Sequence, residues 1–348
     1  MKRAEKKSVG VHGIRSSAVC RLVSCILLGA LLISGLSGCK EVSEWVNETI
    51  VITKSLKKNE LFKIGDQVMT VEEARIFLTA QKSGISARYG AEFWNSRAGE
   101  KAVGDYMKED LQANLANLLC LNQMAADREL TLNKTEEERI SQAAETYYYA
   151  LTEDDKQYMQ VSLDQVKLAY RHYYMVTKLV EDVTQEADLE ISDDEGRVIT
   201  IQQIFVQDAG TAEEILNRAQ NGTDFSVLAA SYQASAEFER RVGREDVSAS
   251  FAEAAFALSS GEISGVVAAD DGFYVIKCLN HFEVEATLAH KEEMAAVRRQ
   301  EAFQAIFEEY KKELKSYYND AAWEGISFSD DFIPSSRGFF EVYQDFFG

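Results

Sequence analysis

Of 348 residues only one is proline, Pro334. A proline inside a helix removes a backbone donor and clashes with the preceding turn, so nothing before residue 334 interrupts a helix by that route. Long helices are open to this chain, and the apolar spacing uses the freedom. Leu111, Leu115, Leu118 and Leu119 keep one stripe along a helix expected over 101–128. Leu163, Val166, Tyr170, Tyr173, Val176, Val180 and Val183 recur every three or four residues after Ser162-Leu-Asp-Gln165, a capping box. A further helix is expected over 286–318, with Met294, Val297, Phe303, Ile306, Phe307, Tyr310 and Leu314 as its stripe. A helix with that much apolar surface is not stable alone in water. It is expected to pack back on the earlier helices.

Local signals fill in the rest. Phe62–Ile64, Gly65-Asp66 and Gln67–Met69 read as a hairpin. Thr70 with Glu73 reads as a capping box, as does Thr135 with Glu138, and Thr152 suits the cap of a short helix. Residues 84–99, small and polar, read as a break, and acidic 188–195 as a hinge. Trp323–Phe328 is expected as a strand added to the hairpin, while aromatic 335–348 is assigned no element.

The formal charge is −20. Nucleic-acid binding calls for a basic stripe, and none is visible. The basic residues that do cluster lie at the start: Lys2, Arg3, Lys6, Lys7, Arg15 and Arg21 precede apolar 22–36, the length of a secretory h-region and short for a membrane span. Leu36-Ser37-Gly38-Cys39 follows and resembles a bacterial lipobox, which implies lipidation at Cys39 and an extracytoplasmic mature chain. An uncleaved anchor is the alternative. Cys120 and Cys278 are expected as buried free thiols, with a disulfide between them as the other reading. Of four histidines, His12, His172, His281 and His290, no two have zinc-ligand spacing. GEISG at 261–265 has its serine in the wrong place for a nucleophile elbow, and no Gly-rich phosphate loop with lysine occurs. No metal or cofactor is expected.

Phe251-Ala-Glu-Ala-Ala-Phe-Ala-Leu258 reads as a helix, Ser259-Ser-Gly261 as its stop, Val266-Val267 as a short strand, Asp270-Asp-Gly272 as a turn and Phe273–Lys277 as a second strand. This order, with GEIS at 261–264, resembles the second half of a parvulin-type peptidyl-prolyl isomerase domain. Ile201–Val206 is similar to that family's first strand, and 212–232 to its first helix and following Asp-Phe-x-x-Leu-Ala segment. The hairpin followed by helices resembles the N-terminal chaperone part of the PrsA/SurA-like foldases.

The resemblance implies prolyl isomerisation. That reaction rotates an amide whose barrier is about 18–20 kcal/mol and needs no bond to an outside atom. A catalyst holds proline in an apolar slot, strips water from the amide and favours the twisted state. Carried over from the family pattern, Phe251 floors the proline cup and Val242 and Val247 line it. The family's two facing histidines fall on Gln203 and Tyr274, and its Cys or Asp falls near Ser235. Gln and Tyr can hydrogen-bond to each other, but do not titrate near neutral pH. Arg240, Arg241 and Arg244 replace or follow the family's Gly-Asp-Leu-Gly. They read as a solvated loop or as a selector of acidic substrates.

The expected fold is α+β: a mostly helical, discontinuous chaperone domain with an inserted parvulin-like α/β domain. Its parts are a signal peptide (1–38), a linker (39–60), N-terminal helices (61–195), the parvulin-like domain (196–280), a returning helix and strand (281–330) and a tail (331–348). The expected partners are unfolded exported polypeptides with their Xaa-Pro segments, and the membrane through a lipid anchor. Two activities stay open: a foldase with a divergent isomerase, and a non-catalytic holdase whose parvulin fold only binds peptide. A solute-binding lipoprotein would need two α/β lobes and ranks behind both.

Overall fold

The structure is a computed structural model that describes residues 50–52, 56–185, 189–232, 238–327, 332, 334 and 336–348. Cys39 and Ser235 lie outside the described residues. The chain divides into two compact units, 1–186 with 302–348, and 187–301.

The first unit opens with β1 (Ile50–Ile52), β2 (Glu60–Ile64) and β3 (Gln67–Thr70), then α1 (Val71–Tyr89). The β2–β3 hairpin turns at Gly65, whose φ of +57° suits glycine. The Gln123 side chain also leaves no room there for a Cβ, and its Oε1 accepts the Asp66 N–H at 2.8 Å. Thr70 caps α1 by accepting the Glu73 N–H at 3.2 Å. The expected capping box is incomplete: the Glu73 carboxylate turns inward to His172 Nδ1 at 2.6 Å, both groups being buried. The break expected from residue 84 is shorter, since α1 runs through Gly84 to Tyr89. A short β4 (Arg97–Ala98) and β5 (Lys101–Ala102) lead into α2 (Val103–Asp127).

Next come α3 (Lys134–Ala150), α4 (Glu153–Met159) and α5 (Leu163–Val183). Asn133, not Thr135, caps α3 in a box with Glu136. Thr152 with Asp155 and Ser162 with Gln165 form boxes on α4 and α5. The stripes expected on α2 and α5 face one core with Leu111, Leu115, Leu119, Tyr170, Tyr173 and Val176 buried.

The second unit contains β6 (Ile199–Val206), α6 (Ala209–Gln220), α7 (Phe225–Tyr232), β7 (Glu239–Val242), α8 (Ala249–Phe256), β8 (Val267–Ala269) and β9 (Gly272–Asn280). Its antiparallel sheet has the order β7-β6-β9-β8. Strand alternation sends β6 side chains to two faces. Ile199 and Ile201 pack with Phe251, Phe256 and Ile276 on the α8 side, whereas Ile204 packs with Ile215, Phe225 and Val275 on the α6–α7 side. Residues 193–195, within the 188–195 expected as a hinge, are tied down within this unit. Asp193 pairs with Lys291, Asp194 with Arg197 and Arg244, and Glu195 with Arg298.

Helix α9 (Val284–Lys311) contains the division between the units. Its expected stripe is only partly buried. Phe303 and Phe307 sit in the first unit's core, but Val297 and Ile306 are exposed. The strand expected at 323–328 is instead β10 (Ser316–Tyr318), lying between β1 and β2, with Tyr318 opposite Phe62 and their rings 5.1 Å apart. Asn319 then accepts the Ala322 N–H and starts α10 (Asp320–Glu324), which takes up and buries Trp323, the first residue of the expected strand. The aromatic tail forms α11 (Phe339–Phe347), burying Phe339, Val342, Tyr343 and Phe347 against the first unit's core. Cys120 and Cys278 are buried free thiols. Among the described residues no helix is long and apolar enough to cross a membrane.

Candidate functional site

Residues facing each other across neighbouring antiparallel strands share a sheet face. On β6 and β9, Phe205 lies opposite Tyr274, and Gln203 opposite Ile276. On β7, Arg240 lies opposite Ile201 and Val242 opposite Ile199. Val267 of β8 lies opposite Tyr274. One face therefore carries Gln203, Phe205, Arg240, Val242, Val267, Tyr274 and Ile276, and α8 lays Phe251 across it.

The rings set the floor. Phe251 meets Tyr274 edge-on, with centroids 5.2 Å apart at 85°, and Phe205 lies 4.9 Å from Tyr274. Edge-to-face contact aligns the positive ring edge with the negative face. Phe251 is 3% exposed, while Tyr274 is half-buried. Arg240 contributes to that cover, its guanidinium carbon standing 5.9 Å from the Phe251 ring centre. Val242 is buried beside Phe251, and Val247 is partly buried against the same cluster.

The polar groups are arranged differently from the expected Gln–Tyr pair. Gln203 and Tyr274 share the face one diagonal step apart, but the Tyr274 hydroxyl donates to Asp271 at 2.6 Å. Burial first, then the bond to Asp271, pushes the phenol up to about 12, against a smaller opposing pull from Arg240. At neutral pH it is a phenol that keeps its proton and donates it in a hydrogen bond to Asp271. Gln203 is 8% exposed, and its backbone N–H donates to the Phe238 carbonyl at 2.8 Å.

The loops that hold this face are built from backbone pairing. Gly261, at φ +92°, donates to the Cys278 carbonyl at 2.7 Å. Ser264 N–H donates to the Ile276 carbonyl at 2.8 Å, and Ile276 N–H returns to Ser264 Oγ at 3.0 Å. The GEIS segment thus fixes β9 under Phe251. At the other end, Gly272 at φ +148° fits against the Phe205 ring and the Val206 carbonyl, where a Cβ has no space.

Of the three arginines, Arg240 alone is on the Phe251 face. Arg241 points to the opposite face across from Thr200. Arg244 Nη2 donates to both carboxylate oxygens of Asp194 at 3.0 Å, and the guanidinium lies 4.5 Å over the Phe256 ring. The solvated-loop reading is thereby replaced for Arg240 and Arg244. Sequence reasoning also missed Phe205 and Asp271. The period-2 alternation that put Val242 at the site places Arg240, two residues earlier, beside it. Among the described residues no cluster of three His, Cys, Asp or Glu side chains could hold a metal.

This fold and face define a class, that of parvulin-like α/β domains. Residues 180–280 match the family model of the PPIC-type PPIase domain. The foldase protein PrsA of Caldanaerobacter subterraneus subsp. tengcongensis is 26% identical over 274 residues, covering 73% of this chain and 80% of the relative. The foldase protein PrsA of Clostridium botulinum strain Langeland is 21% identical, covering 68% and 80%. The crystal structure of PrsA from Bacillus cereus aligns with a TM-score of 0.36 and 17% identity, covering 86% of this chain and 98% of that one. By the domain match, residues 180–280 are a PPIC-type, parvulin-like domain, and over about 70% of its length the chain is similar to PrsA foldases.

Proposed function

We propose that the chain is an extracytoplasmic foldase whose α/β unit accelerates X–Pro isomerisation on the Phe251 face. The observation that carries this reading is the edge-on Phe251–Tyr274 pair on a sheet face shared with Gln203, Val242 and Ile276. A prolyl ring packed there loses water, and a desolvated amide gives up conjugation more readily as it twists. Gln203, with two amide donors, and the Tyr274 hydroxyl, once turned from Asp271, are the polar groups that meet the rotating carbonyl. Neither changes charge in the physiological range, so the work is differential binding of the twisted amide, without acid–base transfer.

The helical unit holds unfolded exported segments, and Cys39, once lipidated, keeps the protein on the outer face of the membrane. Each methylene of an acyl chain buried in lipid contributes about 0.8 kcal/mol. Labelled fatty acid is expected to enter the wild-type protein and not Cys39→Ser. Equal labelling of both would remove the anchor from the account.

The isomerase is tested by a protease-coupled assay on Xaa-Pro tetrapeptides with wild type and Phe251→Ala. Acceleration by wild type, lost in a folded Phe251→Ala, is the expected result. A second reading, a holdase without turnover, is favoured by the bond that commits the Tyr274 hydroxyl to Asp271. It predicts a wild-type rate equal to buffer with client aggregation still suppressed.

A further inference from the structure

We propose that Asp271 is a positioning residue that withholds the Tyr274 proton from the substrate, so that removing its carboxylate speeds prolyl isomerisation. The inference rests on the isomerase reading above, and the geometry around one hydroxyl carries it.

The Tyr274 hydroxyl donates to Asp271 Oδ2 at 2.6 Å. That is the length of a charge-assisted O–H···O⁻ bond, about twice as strong as a bond to a neutral acceptor. A phenol has one proton and gives it to one acceptor at a time. The carbonyl of an amide twisting on the Phe251 face is uncharged, so it competes with the carboxylate at a disadvantage. While the bond to Asp271 holds, the Tyr274 oxygen meets a substrate as an acceptor only.

Both ends of the bond are held in place. The Tyr274 ring packs against Phe251, edge-on at 5.2 Å, and against Phe205 at 4.9 Å. The Asp271 backbone sits in the turn between β8 and β9, where its carbonyl accepts Gln207 Nε2 at 2.9 Å. The next residue, Gly272, fits against the Phe205 ring and the Val206 carbonyl. Asp271 and Tyr274 are three residues apart on one hairpin, so their contact depends on no distant element. Asp271 is exposed, and truncating an exposed turn residue opens no cavity in the core. The carboxylate can therefore be removed while the apolar floor under the substrate stays as it is.

The test measures kcat and KM on Ala-Leu-Pro-Phe, a substrate without side-chain charge. The proteins are wild type, Asp271→Ala, Asp271→Asn, Tyr274→Phe, the double variant Asp271→Ala with Tyr274→Phe, and Asp270→Ala. Asp271→Ala is expected to raise kcat about fivefold. KM stays within about twofold, because an interaction made only in the twisted state acts on kcat. Asp271→Asn keeps a neutral acceptor and gains about twofold; it is read in place of Asp271→Ala if the latter melts early. Adding Tyr274→Phe erases the gain, a coupling that mere loosening of the turn would not show. Asp270→Ala removes the same charge from the neighbouring position and keeps the wild-type rate. A kcat in Asp271→Ala at or below wild type, a gain that survives Tyr274→Phe, or an equal gain in Asp270→Ala overturns the inference and leaves the isomerase reading standing. Rates equal to buffer in wild type and Asp271→Ala alike overturn both.

Discussion

Tyr274 shows how the site differs from one built on histidines. An imidazole pair changes charge near pH 6.5, but this phenol is pushed up to about 12 by burial and by its bond to Asp271. The expected kcat/KM profile is therefore flat from pH 6 to 9. A sigmoidal or bell-shaped profile centred near neutrality would show that another group titrates in the rate-limiting step. Tyr274→Phe removes only the hydroxyl. It should cost stability about 0.5–1.5 kcal/mol, the net value of one hydrogen bond, and reduce turnover if the hydroxyl meets the rotating amide. Phe251→Ala is harsher, costing about 3–5 kcal/mol as a buried aromatic deletion, so activity has to be read below its lowered melting point.

Among the elements, the loop after β7 is held by a histidine. His290 of α9 places Nδ1 against the Gly196 carbonyl at 2.9 Å and Nε2 against the Glu245 carboxylate. Two acceptors on one ring require both nitrogens to carry protons. Burial opposes the charge, but the Gly196 and Glu245 bonds, with Asp246 nearby, outweigh it and raise the pKa. A group raised in the folded state contributes its stability in full below the unfolded value near 6.5, and loses it as pH climbs through the folded value. The thermal midpoint of the α/β unit should thus fall between pH 6 and 8.5, and less so in His290→Gln. Equal slopes would contradict the pairing. The C-terminal helix α11 makes a second element-scale prediction. Phe339 is fully buried, and its carbonyl accepts the Tyr170 hydroxyl at 2.9 Å. Phe339→Ala should destabilise the helical unit by about 3–5 kcal/mol in urea titration.

Most of these elements were legible where the signal was local. Thr152, Ser162 and the Gly65-Asp66 turn announce their structures within four residues, and β6, α8 and β9 follow from patterning. What was not legible depended on distant partners. Ser316–Tyr318 is three residues with no alternation to read, and becomes a strand only because β1 and β2 flank it. Glu73 leaves its capping box because His172, 99 residues on, offers a buried partner. Arg240 and α11 are different cases: strand alternation and the spacing of Phe339, Val342, Tyr343 and Phe347 were present in the sequence. They were obscured by a charge run and by an unbroken aromatic tail.

At the scale of the molecule, two units divide the work proposed for the chain. The helical unit carries a single large core in which α11 and β10, contributed by the last part of the chain, complete structures begun by the first. The α/β unit has a core on each side of its sheet, and the proposed site uses one of them. Client holding and prolyl turnover should therefore separate by mutation. Phe251→Ala is expected to leave suppression of client aggregation within about twofold of wild type while abolishing isomerisation. Loss of both together would mean that the two activities share a surface. The most direct measurement is the protease-coupled rate on an Ala-Glu-Pro-Phe peptide with the wild-type protein. The account predicts a rate constant that rises linearly with protein concentration above the uncatalysed value, and a rate constant indistinguishable from buffer at every concentration would contradict it.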